Sequence, residues 1–232
     1  MQVEIIPAVL PKSFKDLEEH LLRIKGAVKT AQIDVVDGSF AHNKTWPYKD
    51  AASFERIVAE EHGLPLWDEL DFQFDLMIDN PAERIMDFVH AGASQIILHA
   101  KSAGAADALQ QLVDLREEGG AFSIKAGLAI LPDSQPEELE RFEAQFDFVQ
   151  VMGIARVGFQ GEPWDKRALY LLERLRRRYP GLPLQVDGGV SMDNAQALAK
   201  AGANRLVAGS AIFKADDPVQ AIADLKAEAN RI

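Results

Sequence analysis

The stretch Val186-Asp187-Gly188-Gly189, answered by Ala208-Gly209-Ser210-Ala211-Ile212-Phe213, decides the fold. In the first half a carboxylate closes a short apolar run, and paired glycines expose backbone N–H groups behind it. The second half repeats the glycine at the end of another apolar run. Backbone amides at such turns suit an anion, and a carboxylate beside them suits proton transfer on the molecule that carries it. In a barrel of alternating strands and helices, the loops after the seventh and eighth strands are the usual phosphate site.

Working outward, β-rich apolar runs at 3–10, 31–36, 71–77, 95–99, 123–130, 148–152, 184–187 and 205–208 predict strands. Helical patterns at 14–25, 51–62, 81–91, 105–118, 136–145, 166–179, 192–201 and 217–230 alternate with them. Pro81 and Pro136 suit first helical turns, and Gly92 and Gly202 suit the left-handed position past a helix end. The segment His90-Ala91-Gly92-Ala93-Ser94-Gln95-Ile96-Ile97 echoes Lys200-Ala201-Gly202-Ala203-Asn204-Arg205-Leu206-Val207, at the fourth and eighth units, as two half-barrels would. No shift of composition divides the chain, so the expectation is one (β/α)₈ barrel over residues 1–232. A doubly wound open sheet would want a glycine-rich fingerprint after the first strand, and none follows it.

Composition narrows the partners. An apolar fraction of 47% supports a large core, and 26% charged residues is ordinary for a water-facing surface. A net charge of −11 argues against nucleic acid and anionic membranes, yet a few aimed amides can still hold a small phosphate. Without cysteine there are no disulfides, thiolate ligands or thiol nucleophiles. No signal peptide and no membrane span are read, so the expectation is a cytoplasmic protein.

The residues predicted at the C-terminal ends of the strands are acidic: Asp34, Asp37, Asp75, Asp79 and Asp187, with Gln32 among them. Strand alternation sends Gln32, Asp34 and Val36 to one side. Asp34 and Asp187 are then expected to face each other across the barrel mouth, a small substrate's width apart. Two carboxylates on opposite faces of one carbon can remove a proton from one side and return it to the other. Asp37 before Gly38, and Asp79 before Asn80-Pro81, are read as turn formers instead. His99 reads as a satisfied core histidine, with support of the site as the lesser alternative. His42 and Trp46 suit either a lid or a packed loop. Lys101 reads as a solvated loop residue and Lys125 as structural, while Arg174 and Arg176 to Arg178 suit an outer face or subunit contact. Met86 and Phe88 read as helix core.

Seven stretches in this order resemble the ribulose-phosphate 3-epimerase family. They are Ile5-Ile6-Pro7-Ala8-Val9-Leu10, Ile33-Asp34-Val35-Val36-Asp37-Gly38, Leu76-Met77-Ile78-Asp79-Asn80-Pro81, Lys125-Ala126-Gly127-Leu128-Ala129, Gly158-Phe159-Gln160-Gly161, Val186 to Gly189, and Ala208 to Phe213. The resemblance implies a ribulose-phosphate-binding barrel that epimerises a ketose phosphate at C3 through an enediolate, with Asp34 and Asp187 as acid and base. It places the sugar against Met77 and Met152. The phosphate falls on Gly158, Phe159, Gln160, Gly161, Gly188, Gly189, Gly209 and Ser210. Homo-oligomers are common in the family.

The family's divalent metal is held by two histidines and two aspartates. Here the aspartates match Asp34 and Asp187, but the histidine positions fall on Gln32 and Asp75. Ala8 stands where the family has serine, Val36 replaces a third methionine, and Gly153-Ile154-Ala155-Arg156-Val157 lengthens the sixth loop. Arg156 suits either a second anionic group or solvent. A ligand set of Gln32, Asp34, Asp75 and Asp187 is all oxygen and favours magnesium, manganese or calcium over zinc. Without metal, crowding of the carboxylates should raise at least one pKa and leave a neutral acid beside an ionised base. The remaining alternatives are another sugar phosphate as substrate, or a phosphosugar-binding protein without turnover. A decarboxylase of the related Asp-x-Lys-x-x-Asp type is excluded, because Met77 takes the lysine's place.

Overall fold

The computed structural model describes residues 2–117, 124–142 and 145–231. Among them eight parallel strands close a barrel in chain order: β1 (Glu4–Val9), β2 (Thr30–Val36), β3 (Asp71–Met77), β4 (Ala93–His99), β5 (Lys125–Ile130), β6 (Phe148–Met152), β7 (Leu184–Asp187) and β8 (Arg205–Ala208). Closure comes from β8 pairing back onto β1, with Ile6 opposite Val207. All eight expected strands form, although Ser123, expected to open the fifth, lies outside the described residues.

The outer ring holds α1 (Phe14–Leu22), α2 (Ala51–Val58), α3 (Ile85–His90), α4 (Ala105–Glu117), α5 (Arg167–Arg178), α6 (Ala195–Lys200), α7 (Ser210–Phe213) and α8 (Pro218–Ala229). Caps fix where several begin. Ser13 Oγ accepts from the Asp16 N–H at the start of α1, and Asp217 accepts from Gln220 N–H before Pro218 opens α8. Gly92 and Gly202 take φ of +95° and +113°, the left-handed ends expected of them.

Three segments differ from expectation. The helix expected over 81–91 is split, because Arg84 at φ −125° separates a 3₁₀ turn (Pro81–Glu83) from α3. The helix expected over 136–145 is a 3₁₀ helix, Pro136–Phe142. There the Glu138 carboxylate accepts from both Gln135 N–H and Ser134 Oγ–H, and Glu138 N–H bonds the Gln135 carbonyl three residues back. The short α7 directly after β8 is additional; its four residues are too few to show a helical period. Phe88 is core, but Met86 is 38% exposed.

The apolar core lies mainly between barrel and helices, where Trp46, Phe54, Phe74 and Phe88 form a chain of tilted and edge-on rings. Trp46 is therefore core rather than lid: it is fully buried and its Nε1–H donates to Ser53 Oγ. His42 in the same loop is exposed. Inside the barrel the pleat produces layers. Register sets Gln32 beside Gln73 and Asp34 beside Asp75 on β2 and β3. On β6 and β7 it sets Gln150 beside Gln185 and Met152 beside Asp187. A layer of four fully buried glutamines thus underlies a layer bearing three aspartates.

Candidate active site

Asp34, Asp75 and Asp187 converge at the C-terminal end of the barrel, each offering a carboxylate oxygen within 4.8 Å of the others. All three are buried. Gln32 Nε2 donates to Asp34 Oδ1 at 2.7 Å and to Asp187 Oδ2 at 2.8 Å. One amide thus bridges the two aspartates expected to stand a small substrate's width apart. Asp75 is held from two sides: Oδ1 bonds His99 Nε2 at 2.9 Å and Oδ2 accepts from Gln150 Nε2 at 3.0 Å.

Crowding sets the electrostatics. Burial first, then the like charges of Asp187 and Asp75, lifts Asp34 well above the usual carboxylate range, while the Gln32 N–H pulls it back. Asp187 is pushed up to about 7, by burial foremost and then by Asp75, against the hydrogen bonds from Gln32 and the Gly188 N–H. Both carboxyl groups of the pair are therefore biased toward the protonated form.

Above this floor lies a cleft rimmed by the loops after β6, β7 and β8. Met77, Met152, Gly158, Phe159, Gln160, Gly161, Gly188, Gly189, Gly209 and Ser210 all line it, as do Asp34 and Asp187. Asp75 and Gln32 lie beneath and do not reach it. Gly188 takes φ +98°, and a Cβ there would sit 2.7 Å from Ile154 Cγ1, so only glycine fits this turn comfortably. A Cβ on Gly209 would lie 2.6 Å from Gln160 Nε2, which leans over the cleft toward the Ala8 carbonyl.

The remaining candidates fall away from the cleft or behind it. Asp37 forms a turn, accepting from the N–H groups of Ser39 and Phe40, and Asp79 is exposed. Arg156 turns outward, bonding Glu162 at 2.5 Å and stacking on Phe159. Lys101 is solvated beside Asp133. Arg174 and Arg178 meet Glu137 and Glu140, whereas Arg176 donates to the carbonyls of Tyr179, Pro180, Leu182 and Gly202 as a structural tie.

Gln73, Gln150 and Gln185 escaped the reading of the sequence, although they sit under the aspartates. Their signal was present: each lies two residues before an inward Asp75, Met152 or Asp187 in an apolar strand. His99 is indeed a satisfied buried histidine, and the group that satisfies it is Asp75.

Three carboxylates within one cation's reach fit a hard divalent ion with oxygen ligands. Gln32 does not join that set, contrary to expectation. Its NH₂ faces the aspartates, and its Oε1 accepts from Gln185 Nε2 at 3.3 Å.

A closed (β/α)₈ barrel with carboxylates beneath a glycine-rimmed cleft defines the class. Solved structures share this fold. KGPDC from Streptococcus mutans matches with a TM-score of 0.69 at 14% identity, covering 100% of this chain and 99% of that one. The 3-hexulose-6-phosphate synthase from Salmonella typhimurium matches with a TM-score of 0.67 at 16% identity, covering 99% and 98%. At such identities the likeness speaks for fold alone. Sequence relatives go further. The family model described as the ribulose-phosphate 3 epimerase family matches residues 4–213. The ribulose-phosphate 3-epimerase of Candida glabrata is 32% identical over 98% of this chain and 92% of its own length. That of Bacillus subtilis is 29% identical over 97% and 98%. The chain belongs to the ribulose-phosphate 3-epimerase family, a family of isomerases. Among the described residues no helix is long and apolar enough to cross a membrane.

Proposed function

We propose that this chain epimerises a ketose phosphate at C3 through an enediolate, with Asp34 and Asp187 exchanging the proton. The observation that carries the assignment is exposure to the cleft: of the three clustered aspartates, only these two line it. The ionised member of the pair takes the C3 proton, and the protonated member delivers its own to the opposite face of the same carbon. One proton leaves and one arrives, so the reaction needs no oxidant and no co-substrate.

The phosphate end of the substrate suits the rim. Backbone amides of Gly158 to Gly161, Gly188, Gly189, Gly209 and Ser210 provide donors without requiring side-chain charge, consistent with a chain of net charge −11. Met77 and Met152 give the sugar carbons an apolar, adaptable wall. A divalent cation held by Asp34, Asp75 and Asp187 would supply positive charge opposite oxygens that become anionic; its oxygen ligands favour magnesium, manganese or calcium over zinc.

The test is proton NMR of D-ribulose 5-phosphate with the protein in deuterated buffer, run with EDTA, magnesium, manganese and zinc in turn. The expected outcome is loss of the C3 proton signal with appearance of xylulose 5-phosphate, abolished by Asp187→Asn. An unchanged spectrum under every condition would reject the activity. Retained binding of the sugar phosphate in that case would point to a phosphosugar-binding role.

A further inference from the structure

We infer that Gln185 is a positioning residue: its NH₂ holds Gln32 and Gln150 in the one orientation that presents N–H groups to all three aspartates. The inference adds to the epimerase reading and rests on it for its kinetic part. A glutamine side chain can present either its carbonyl or its NH₂ to a neighbour, with little difference in shape. An ionised carboxylate accepts only, so productive contact with Asp34, Asp187 and Asp75 requires the NH₂ of Gln32 and Gln150 to face them. Both carbonyls then point down into the barrel, where a missing donor would leave them buried and unpaired.

Gln185 supplies that donor. Its two N–H groups are shared among three carbonyls: Nε2 lies 2.6 Å from Gln150 Oε1, 2.8 Å from Gln73 Oε1 and 3.3 Å from Gln32 Oε1. The polarity continues away from the site. Gln73 Nε2 donates to Gln185 Oε1 at 3.3 Å and to Gln95 Oε1 at 3.1 Å, and Gln95 Oε1 also accepts from Arg205 Nη1 at 2.9 Å. Arg205 and Gln73 both donate to the one Gln95 oxygen, so donation runs outward from Gln73 as well as inward from Gln185 to Gln32 and Gln150. Gln32, Gln73, Gln150 and Gln185 are all fully buried, and no buried side-chain nitrogen or oxygen among the described residues lacks a partner. Gln185 touches no aspartate through these bonds, so its effect reaches the reacting carboxylates through Gln32 and Gln150.

The experiment compares Gln185→Met with Gln73→Met, two changes of like size at the same depth. Side-chain amide NMR follows hydrogen exchange at Gln32 and Gln150, and kinetics follow turnover of D-ribulose 5-phosphate. In the parent protein both side-chain amides should exchange far more slowly than free glutamine. Gln185→Met should release that protection and lower kcat by about 10- to 100-fold with KM within about twofold, as misaligned reacting groups do. Gln73→Met removes one acceptor and one donor of Gln185 but no bond to Gln32 or Gln150, so it should leave both of those amides protected. Equal effects of the two variants would mean generic packing and overturn the inference. So would unchanged Gln32 and Gln150 signals in Gln185→Met, or lost protection with kcat intact. Should Gln185→Met fail to fold, fast exchange at Gln32 and Gln150 in the parent protein overturns it alone. The amide signals need no substrate, so they decide the network even if the chain turns over no ketose phosphate.

Discussion

The rim of the cleft and its floor are built from different parts of the polymer. The rim, after β6, β7 and β8, turns on Gly158, Gly161, Gly188, Gly189 and Gly209, where the backbone itself borders the cleft. The floor, on β2, β3 and β7, gathers carboxylate side chains so closely that burial and mutual repulsion raise the Asp34 and Asp187 pKa values. A backbone site depends on conformation and tolerates many sequences that keep the turn. A side-chain site changes its chemistry with each replacement. That contrast means a replacement on the floor, at Gln32 or Asp75, would alter the chemistry more than one in the turns of the rim.

The sharpest break between the two regions is Asp34→Asn or Asp187→Asn. Each should lower kcat by about 10²- to 10⁴-fold, the usual worth of a positioned acid or base, while inorganic phosphate still competes for the cleft. Calorimetric titration with phosphate beside the deuterium-exchange assay separates the two readouts, and loss of both would erase the distinction. Next comes the rim itself. Gly188→Ala forces a side chain into φ +98° against Ile154, a strain of about 1–3 kcal/mol, so KM should rise roughly tenfold or more with kcat little changed.

A third test uses pH on metal-free protein. The Asp187 carboxyl is lifted from 3.8 to about 7 by folding, so its contribution to stability is full below the ordinary value and is lost as pH rises through about 7. Thermal scans in EDTA should show Tm falling across that interval, and Asp187→Asn should flatten the fall. A parent Tm that climbs from pH 4 to 7 as steeply as the variant's would contradict the crowded floor. The smallest effect is expected at Arg156. It is 67% exposed and paired only with Glu162 and the Phe159 ring, so Arg156→Ala should change stability by less than about 1 kcal/mol and steady-state rates by less than about twofold. A large rise in KM would move Arg156 into the rim.

The barrel was legible because strand and helix periods alternate cleanly, and the rim was legible because glycines mark turns. Helix boundaries were less so: Arg84 breaks the third helix through its backbone angle, and Glu138 tightens 136–142 through side-chain bonds. The floor was half legible. Charged residues in apolar strands announced Asp34, Asp75 and Asp187, yet Gln32's orientation depends on Gln185, distant by 153 positions. His99 likewise needed the barrel closed before its partner Asp75 could be seen. Trp46 read equally well as lid or core, because only packing distinguishes them.

Asn43 Nδ2 donates to the Gly158 carbonyl at 2.7 Å, joining the loop after β2 to the loop after β6 on the far side of the ring. Ala41 crowds the same glycine. The two loops thus meet at Gly158, which lines the cleft. Breaking that bond costs about 0.5–1.5 kcal/mol net, so it fixes where the Gly158 turn stands relative to the loop after β2. Asn43 thereby braces one wall of the cleft from a loop on the opposite side of the barrel.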